Sequence, residues 1–330
     1  NDNSLTVLTH DGSGGFVAAA TDGVGNGPYS VVAADVNVYG KVDVVSANYN
    51  DNTLTVLTND GSGGFATAGT YAAGNSPIFV AASDVNSDGW LDLISAHAND
   101  NELTVLTNDG SGGFATAGTY GVGGRPVSIA VADVNGDGKP DLISANVYGK
   151  SLTVLTNDGS GNFAAAGTYT VGTNPTSVAA ADVNGDGKPD LISANSGDDT
   201  LTVLTNDGSG GFATAETNAA GNYPDSVAAA DVNNDGKVDL ISANNLINTL
   251  TVLTNDGSGG FATAGTYAVG RGPKSVAAAD VNDDGKIDLI SANSGGGTLT
   301  VLFNQSTIGY EPSFAGNFTG NGTGLTNLNA

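Results

Sequence analysis

The chain is built from short stretches in which apolar residues alternate with polar or very small ones. Leu201 to Thr205 alternates Leu and Val with Thr, the period expected of a β-strand. Three further short stretches surround it: Ser177 to Ala181 and Asp190 to Ala194 flank an aspartate-rich loop, and Phe212 to Thr217 follows a Gly-rich turn. The pattern predicts four consecutive strands, and no segment shows the 3.6-residue period of a helix.

This four-strand pattern returns every 49 residues. The stretch Leu-Thr-Val-Leu begins at Leu5, Leu54, Leu103, Leu152, Leu201, Leu250 and Leu299. Four strands in roughly 40–50 residues is the size of a propeller blade, whereas a calcium β-roll repeats every nine residues. The predicted fold class is therefore an all-β propeller of four-stranded blades. We expect seven blades, one of which is split or is completed by the tail or by a neighbouring molecule.

The order of the repeats gives the domain boundaries. The chain begins with a third strand at Leu5, five complete blades follow, and a sixth ends near Asn304, so we assign residues 1–304 to the propeller. Residues 305–330 form a C-terminal tail that serves as a closing strand or a linker, and Pro312 to Phe314 is a candidate outer strand for the sixth blade. The incomplete blade leaves three alternatives: the tail closes it, it pairs with another copy in a homo-oligomer or filament, or its missing strands lie upstream.

Composition narrows the classes of partner and the location. The chain carries nine Lys and Arg against 34 Asp and Glu, a net charge of −25, which disfavours nucleic acid and anionic membranes. No apolar run is long enough to cross a membrane, and Cys is absent. No signal peptide is visible and Met is absent, so we expect a processed form or a fragment of a protein that acts outside the cell or on its surface.

Each copy contains an aspartate loop whose spacing suits calcium. In Asp182-Val-Asn184-Gly-Asp186-Gly-Lys188-Pro-Asp190, oxygen-bearing side chains stand at positions 1, 3, 5 and 9, with Gly at position 6. Calcium prefers six to eight oxygen ligands, and the residue at position 7 would contribute its backbone carbonyl while its side chain stays in solvent. The five predicted Ca²⁺ sites are Asp84, Asn86, Asp88, Trp90 and Asp92; Asp133, Asn135, Asp137, Lys139 and Asp141; Asp182, Asn184, Asp186, Lys188 and Asp190; Asp231, Asn233, Asp235, Lys237 and Asp239; and Asp280, Asn282, Asp284, Lys286 and Asp288.

The loops could also be metal-free turns or EF-hands, and the first loop departs from the calcium pattern. A metal-free Asp/Asn/Gly turn needs only one carboxylate, whereas three in nine residues repel one another without a cation. An EF-hand needs Glu at position 12, where this chain has Ser. The first loop, with Asp35, Asn37 and Asp43, has Tyr39 at position 5, so we expect a weak sixth site there or none.

The repeat resembles a known family. The run from Ser177 to Asn195 and the strand-turn-Phe segment from Leu204 to Phe212 are similar to FG-GAP/VCBS-type repeats, and the resemblance covers about residues 1–304. It implies an integrin-α-like propeller, usually seven-bladed, with calcium between strands 1 and 2. It also implies a role in adhesion or in carbohydrate or protein binding, often beside a separate catalytic domain.

The copies differ mainly in two segments, the loop between strands 2 and 3 and the connection between blades. Because strands alternate in direction, both segments emerge at one end of a blade, and the calcium loops emerge at the other. We expect this variable face to bind a protein or a glycan, the alternative being neutral drift of unconstrained loops. The candidate partner-binding residues are Tyr29, Tyr49, Phe79, Arg125, Tyr148, Tyr223, Arg271 and Lys274.

Nothing in the sequence predicts a catalytic site. His10 and His97 occupy non-equivalent positions, and the Asp residues repeat as a structural set rather than as one acid–base pair. We therefore expect no enzymatic activity. The leading interpretation is a calcium-stabilised adhesion or structural module, the alternatives being a lectin or a non-catalytic domain of a larger secreted enzyme.

Overall fold

The computed structural model describes residues 2–10, 16–305 and 312–320. Each four-stranded sheet is one blade, and its strands are numbered along the chain. The first three blades are β3 (Pro28–Ala34), β4 (Asp43–Asn48), β5 (Thr53–Asn59) and β6 (Phe65–Ala72); β7 (Pro77–Ser83), β8 (Asp92–His97), β9 (Glu102–Asn108) and β10 (Phe114–Gly121); and β11 (Pro126–Ala132), β12 (Asp141–Asn146), β13 (Ser151–Asn157) and β14 (Phe163–Thr170).

The next three blades repeat this arrangement. They are β15 (Pro175–Ala181), β16 (Asp190–Asn195), β17 (Thr200–Asn206) and β18 (Phe212–Ala219); β19 (Pro224–Ala230), β20 (Asp239–Asn244), β21 (Thr249–Asn255) and β22 (Phe261–Ala268); and β23 (Pro273–Ala279), β24 (Asp288–Asn293), β25 (Thr298–Asn304) and β26 (Phe314–Gly320). A two-stranded sheet of β1 (Ser4–His10) and β2 (Phe16–Gly23) precedes them, and it is called the half blade below.

Within each blade the strands pair antiparallel in chain order. The fourth blade shows the register, in which Ile192 of β16 faces Val203 of β17. The outermost pair is interrupted by a bulge between Val203 and Leu204, which bends the exposed outer strand. This architecture confirms the predicted all-β propeller of four-stranded blades with one incomplete blade.

The strand sequences follow from burial between neighbouring blades. Val252 and Leu253 are adjacent in β21 and therefore point to opposite faces of the strand, yet both are buried, because this blade packs against a neighbouring blade on each side. The inner strands carry Ala and Val, as in Ser177 to Ala181. The outer strand β18 is largely exposed and carries Ala and Thr instead. The pattern of large, small and polar positions thus reflects the distance of each strand from the outer rim.

The chain divides into two compact units. The first comprises residues 1–7, 19–170 and 208–211, and the second comprises residues 8–18, 171–207 and 212–330. In each unit the hydrophobic core lies between consecutive blades. One such cluster, in the second unit, joins Ile192 and Val203 of the fourth blade to Val227, Leu240 and Leu253 of the fifth.

Two kinds of side chain tie consecutive blades together. Asn157 Nδ2 donates to the Val85 carbonyl of the preceding blade at 2.8 Å and to the Pro140 carbonyl of its own blade at 3.0 Å. Tyr120 donates its hydroxyl to the Gly161 carbonyl of the following blade at 3.1 Å. Its ring meets Phe163 edge-on, with the centroids 5.3 Å apart. These links recur at other blade boundaries inside each unit.

Part of the segment assigned to the tail lies in the sixth blade. β26 pairs with β25 and completes a four-stranded sheet, with Phe314 opposite Asn304. The alternative that residues 318–330 close the half blade falls largely on residues 321–330, outside the described residues. No helix in the described chain is long and apolar enough to span a membrane.

Candidate functional site

The aspartate loops are turns held by their own side chains. In the fourth blade, Asp182 Oδ1 accepts the Asp186 N–H at 3.1 Å and its Oδ2 accepts the Gly187 N–H at 2.8 Å. Gly185 and Gly187 have φ of 75° and 83°, a conformation that glycine adopts without steric cost. Asn184 Oδ1 also accepts the Asp186 N–H, at 2.9 Å. The side-chain oxygens of positions 1 and 3 are therefore held at fixed places around the turn.

The aspartate at position 9 faces the blade interior. Asp190 is fully buried, and its two oxygens accept the N–H groups of Val183 and Asn206 at 3.2 and 2.9 Å. Burial raises the pKa of its carboxyl, and the negative charges of Asp186 and Asp182 raise it further. For Asp239, the same position in the fifth blade, burial is again the main cause and the pKa rises to about 6. Each loop therefore concentrates negative charge that no cationic side chain fully balances.

A hard cation could bind in these loops only through carboxylate, amide and backbone carbonyl oxygens together. Among the described residues, no three Asp, Glu or His side chains converge on one metal position. The reason is visible in the fourth blade, where Asp190 directs both oxygens at backbone N–H groups. Asp182, Asn184, Asp186 and the Lys188 carbonyl are the oxygens that remain for a calcium ion, which accepts carboxylate, amide and carbonyl oxygens.

The first loop differs, as its sequence predicts. Tyr39 is exposed and contributes no side-chain oxygen to the turn, and Val38 at position 4 has a φ of 61°, which is unfavourable for a β-branched residue. The Gly40 N–H donates to Asp35 Oδ2 at 2.7 Å, but Asp35 Oδ1 is buried without a hydrogen-bond partner. In the fourth blade the corresponding oxygen accepts the N–H of position 5.

The side chain at position 7 is partly exposed to solvent and also contacts a neighbouring turn. Lys139 Nζ donates to the Asp158 carbonyl at 2.8 Å and lies 3.6 Å from Asp137 Oδ2. The donor is drawn to the Asp-Gly-Ser-Gly turn because that turn and the aspartate loop lie at the same end of the blade. In the second blade Trp90 covers the equivalent glycine, Gly110.

The candidate partner residues lie in several different environments. Tyr29 and Tyr49 form a pair with ring centroids 6.0 Å apart, and the Arg125 guanidinium lies 5.2 Å from the Tyr148 ring centroid. The remaining four divide as follows: Phe79 packs partly buried on a blade core, Lys274 forms an ion pair with Asp225 at 2.9 Å, Arg271 is exposed, and Tyr223 is partly exposed. Tyr49 also packs partly on that core, so the exposed aromatic surface is chiefly Tyr29 and Tyr148.

His97 is a feature that the sequence interpretation underestimated. It ends β8 at 1 % exposure, where the five other blades have Asn48, Asn146, Asn195, Asn244 and Asn293. Its Nε2 is 3.1 Å from Ser95 Oγ, whereas Nδ1 is buried without a partner. Burial lowers its pKa to about 4, although Asp100 acts in the opposite direction. The signal available in the sequence was the single replacement of a repeated Asn.

An open polar pocket of about 540 Å³ lies in the first unit, beside the connection that leads from the half blade into the first blade. The hydroxyl-bearing residues Thr53, Thr55, Thr67 and Thr70 line it together with Asp51 and Gly23 to Gly25. Asp51 Oδ2 accepts the Asn26 N–H at 2.7 Å. The pocket therefore offers hydroxyls and one carboxylate near the variable face of that blade.

A family model described as an FG-GAP-like repeat matches five successive segments, residues 40–95, 84–144, 133–193, 182–242 and 231–291. Successive segments overlap and end 49 residues apart, and together they cover well over half of the chain. The chain belongs to the FG-GAP-like repeat family. Each matched segment except the first starts at position 1 of an aspartate loop and ends on the second strand of the following blade. A search of curated proteins gives no match.

Solved structures share the fold of this FG-GAP repeat protein at low identity. A candidate 6-phosphogluconolactonase from Bacteroides fragilis NCTC 9343 has a TM-score of 0.74 at 15% identity, covering 97% of this chain and 92% of that one. A similar candidate enzyme from Bacteroides uniformis ATCC 8492 has a TM-score of 0.73 at 14% identity, with 95% and 92% covered. An Agrocybe aegerita lectin that recognises non-reducing terminal N-acetylglucosamine has a TM-score of 0.60 at 18% identity, with 97% and 90% covered. At these identities the comparison establishes the fold alone.

Proposed function

We propose that this chain is a calcium-stabilised recognition propeller that works outside the cell or on its surface, as an adhesion or structural interaction module. The observation that carries the proposal is the contrast between the two ends of each blade. One end repeats the same aspartate loop, as in Asp133 to Asp141 and Asp182 to Asp190, with the same internal hydrogen bonds. The other end presents side chains that differ from blade to blade, such as Tyr29 and Arg125.

The calcium part of the proposal rests on charge and donor type. Each complete loop holds at least three carboxylates and one amide oxygen. Burial raises the pKa of its buried aspartate, and the two acidic residues at positions 1 and 5 raise that pKa further. Extracellular calcium modules bind with dissociation constants of roughly 0.1–1 mM. At ~1 mM calcium, five such sites would add about 2–7 kcal/mol of stability in total, a substantial share of a domain's free energy of unfolding. Millimolar calcium is an extracellular condition, which supports the proposed location.

The recognition part of the proposal rests on Arg125 and Tyr148. Tyr148 is 72 % exposed, and Arg125 Nη1 donates to its hydroxyl at 3.3 Å while the guanidinium stacks over its ring. The pair presents one cation beside one aromatic ring. Such a pair suits carboxylate-bearing proteins or acidic glycans, because Arg binds carboxylates in a bidentate manner and Tyr contributes apolar area at little entropic cost.

Binding to a glycan array and to a panel of purified extracellular proteins tests this surface. We expect Arg125→Ala and Tyr148→Ala to weaken binding of the ligand found there by about tenfold or more. Leu246→Ala is the matched control, because Leu246 is also an exposed loop residue, in the fifth blade. Equal binding by all three variants and the unmodified protein would remove the variable face from the proposal.

Glycan binding is a second candidate because of the polar pocket in the first unit. Its four threonines and Asp51 offer hydroxyl and carboxylate partners for a sugar. The lectin with the same fold supports this candidate only as an analogy. A lectin site in this pocket predicts that Asp51→Ala abolishes the glycan-array signal and that Arg125→Ala leaves it unchanged. The opposite result would place the site at the Arg125–Tyr148 pair.

We propose recognition rather than catalysis, as an independent domain or as the non-catalytic part of a larger secreted enzyme. The described residues with perturbed pKa values belong to repeated loops and turns, apart from His97 in the second blade and Asp225 in the fifth. The candidate lactonases of the same fold make lactone hydrolysis the assay to perform. Hydrolysis of 6-phosphogluconolactone by the purified protein above the buffer rate would contradict this part of the proposal.

A further inference from the structure

On the variable face, the loop between strands 2 and 3 binds a backbone N–H group of the connection that enters the same blade. In the first blade Asp51 Oδ2 accepts the Asn26 N–H at 2.7 Å, and in the second Asp100 Oδ2 accepts the Asn75 N–H at 2.9 Å. These residues occupy equivalent positions of the repeat. Both blades therefore place a carboxylate on this N–H group, and so does the fourth, with Asp198 and Thr173.

The third blade has no acid at this position. Gly149 stands where those blades have aspartate, and Gly124 is the counterpart of Asn26 and Asn75. A β-carbon at Gly149 would lie 3.3 Å from the Gly124 nitrogen, so a side chain at this position would reach the same N–H group. Among the described residues, no side-chain oxygen accepts the N–H of Gly124, which is partly exposed. The donor that binds an internal carboxylate in other blades is thus open to an external one.

Positive charge lies beside the Gly124 N–H. Arg125 follows directly in the chain, and Lys150 is exposed in the loop whose backbone contacts the Gly124 carbonyl. The connection residues 122–126 and the loop residues 147–151 contain no Asp or Glu, although the whole chain has a net charge of −25. A cationic surface of this kind on an acidic chain selects for an anionic ligand group.

An aromatic ring lies at the same place. A β-carbon at Gly124 would lie 3.2 Å from Tyr148 Cβ, and the Arg125 guanidinium donates to the Tyr148 hydroxyl at 3.3 Å. The Arg125 backbone is held by its own N–H, which donates to Asn101 Oδ1 at 2.7 Å. A guanidinium has five N–H donors, so further donors remain for a carboxylate beside the Gly124 N–H.

Two other blades also lack the acid but do not offer the same surroundings. The fifth has Ile247 and the sixth Gly296 at the position of Gly149. In the fifth blade the counterparts of Arg125 and Lys150 are uncharged, and in the sixth the counterpart of Tyr148 is a glycine. The combination of cations and an aromatic ring beside this N–H group is therefore specific to the third blade.

We propose that the third blade binds an aspartate side chain of a partner protein. Its carboxylate accepts the Gly124 N–H and pairs with the Arg125 guanidinium, while the apolar part of the partner segment packs on the Tyr148 ring. An aspartate is favoured over a sugar acid because aspartate is the residue that the chain itself places on this N–H group in other blades. The inference rests on the proposed recognition function of the Arg125–Tyr148 surface and names the chemical group recognised there.

A variant that supplies its own carboxylate gives the first test. Gly149→Asp should place an acid on the Gly124 N–H, as Asp51 does on its counterpart. The new β-carbon would lie 2.9 Å from Ser151 Oγ, a short side chain that can rotate, and the first blade accommodates Asp51 with the larger Thr53 there. We expect the Gly124 amide signal in ¹H–¹⁵N NMR spectra to move to lower field and its hydrogen exchange to slow. Gly149→Ala, which adds only the β-carbon, should do neither.

Titration with a short peptide gives the second test. The probe is acetyl-Asn-Asp-Asn-amide, the sequence of residues 50–52, added to the ¹⁵N-labelled full chain at constant calcium. We expect a saturable shift of the Gly124 signal, and affinity at least about tenfold lower for the peptide with Asn in place of Asp. Gly149→Asp should weaken binding of the Asp peptide by a similar factor, because its own carboxylate occupies the donors. Gly149→Ala should bind it within about threefold of the unmodified protein.

Three results would overturn the proposal. They are equal affinity for the Asp and Asn peptides, unchanged peptide binding by Gly149→Asp, and tighter binding of methyl glucuronide than of the Asp peptide, which would make a glycan the ligand. The recognition function fails by a different result. If Arg125→Ala and Tyr148→Ala weaken binding of a panel protein while Gly149→Asp does not, the surface is confirmed and the carboxylate position is wrong. If only the peptide experiments succeed, the carboxylate site stands without the proposed recognition function.

Discussion

Asn157 Nδ2 donates to the backbone carbonyl of Val85, a residue 72 positions earlier in the chain, at 2.8 Å. The bond is buried and joins the third blade to the aspartate loop of the second. The same amide donates to Pro140 of its own loop, and its oxygen accepts the Gly159 N–H at 2.9 Å. One side chain therefore connects two aspartate loops and one Asp-Gly-Ser-Gly turn.

Loss of this amide should destabilise the protein. Asn157→Ala leaves the buried Val85 carbonyl without this donor, so we expect the free energy of unfolding to fall by about 1–3 kcal/mol in urea denaturation. Asn59→Ala is the matched control, because Asn59 makes the corresponding bond only within its own blade. Equal losses for the two variants would show that the link between blades contributes nothing.

A pair of substitutions in the fourth blade suggests a double-mutant cycle. Where the first, second, third and fifth blades have Gly and Tyr, as at Gly118 and Tyr120, the fourth blade has Glu216 and Asn218. A β-carbon at Gly118 would lie 2.5 Å from the Tyr120 hydroxyl oxygen, so Gly118→Glu should cost about 1–3 kcal/mol by overpacking. Adding Tyr120→Asn should recover part of that loss. Additive effects in thermal denaturation would indicate that the two positions are independent.

The pKa of His97 predicts a pH dependence of stability. Because burial lowers the pKa to about 4 from 6.5, the folded state binds fewer protons than the unfolded state between these values. His97 should therefore reduce the free energy of unfolding as pH falls from about 6.5 to 4, by at most about 3 kcal/mol. His97→Asn with Glu102→Thr, which restores the pair found across β16 and β17 as Asn195 and Thr200, should abolish this slope relative to the unmodified protein. If the dependence of the free energy of unfolding on pH is unchanged in this variant, titratable groups other than His97 cause it.

Much of the fold could be predicted from the sequence because it depends on local patterns. The expected strand Asp190 to Ala194 ends one residue before β16 does, and Leu201 to Thr205 lies inside β17. The links of Asn157 and Tyr120 could not be predicted in the same way, since their partners lie 72 and 41 positions away. Only the repetition of Asn and Tyr at those positions marks them.

The candidate site shows the same division. The spacing of Asp182, Asn184 and Asp186 predicts a turn with inward oxygens, and the structure builds that turn. The Asp190 side chain points into the blade and Lys139 contacts the Asp158 carbonyl. Both features depend on neighbouring strands and turns, which the spacing of residues in the sequence does not predict. Likewise, pattern alone could not separate the exposed Tyr148 from the partly buried Phe79.

The first loop offers a test of ligand count. Tyr39→Asp restores the carboxylate that the other loops carry at position 5, and Val38→Gly removes an unfavourable φ. We expect this double variant to bind one more calcium ion than the unmodified protein in isothermal titration calorimetry. Asp186→Ala is the complementary change and should lower the stoichiometry by one. An unchanged count in both variants would mean that position 5 is not a calcium ligand.

A calorimetric melting temperature tests the central claim most directly. Chelator-treated protein is measured with increasing calcium, and magnesium at equal ionic strength is the control. If the aspartate loops bind calcium in the folded state, the melting temperature rises by several degrees as calcium passes through roughly 0.1–1 mM, and chelator reverses the rise. A melting temperature that does not change with calcium, or that magnesium raises equally, would contradict the account.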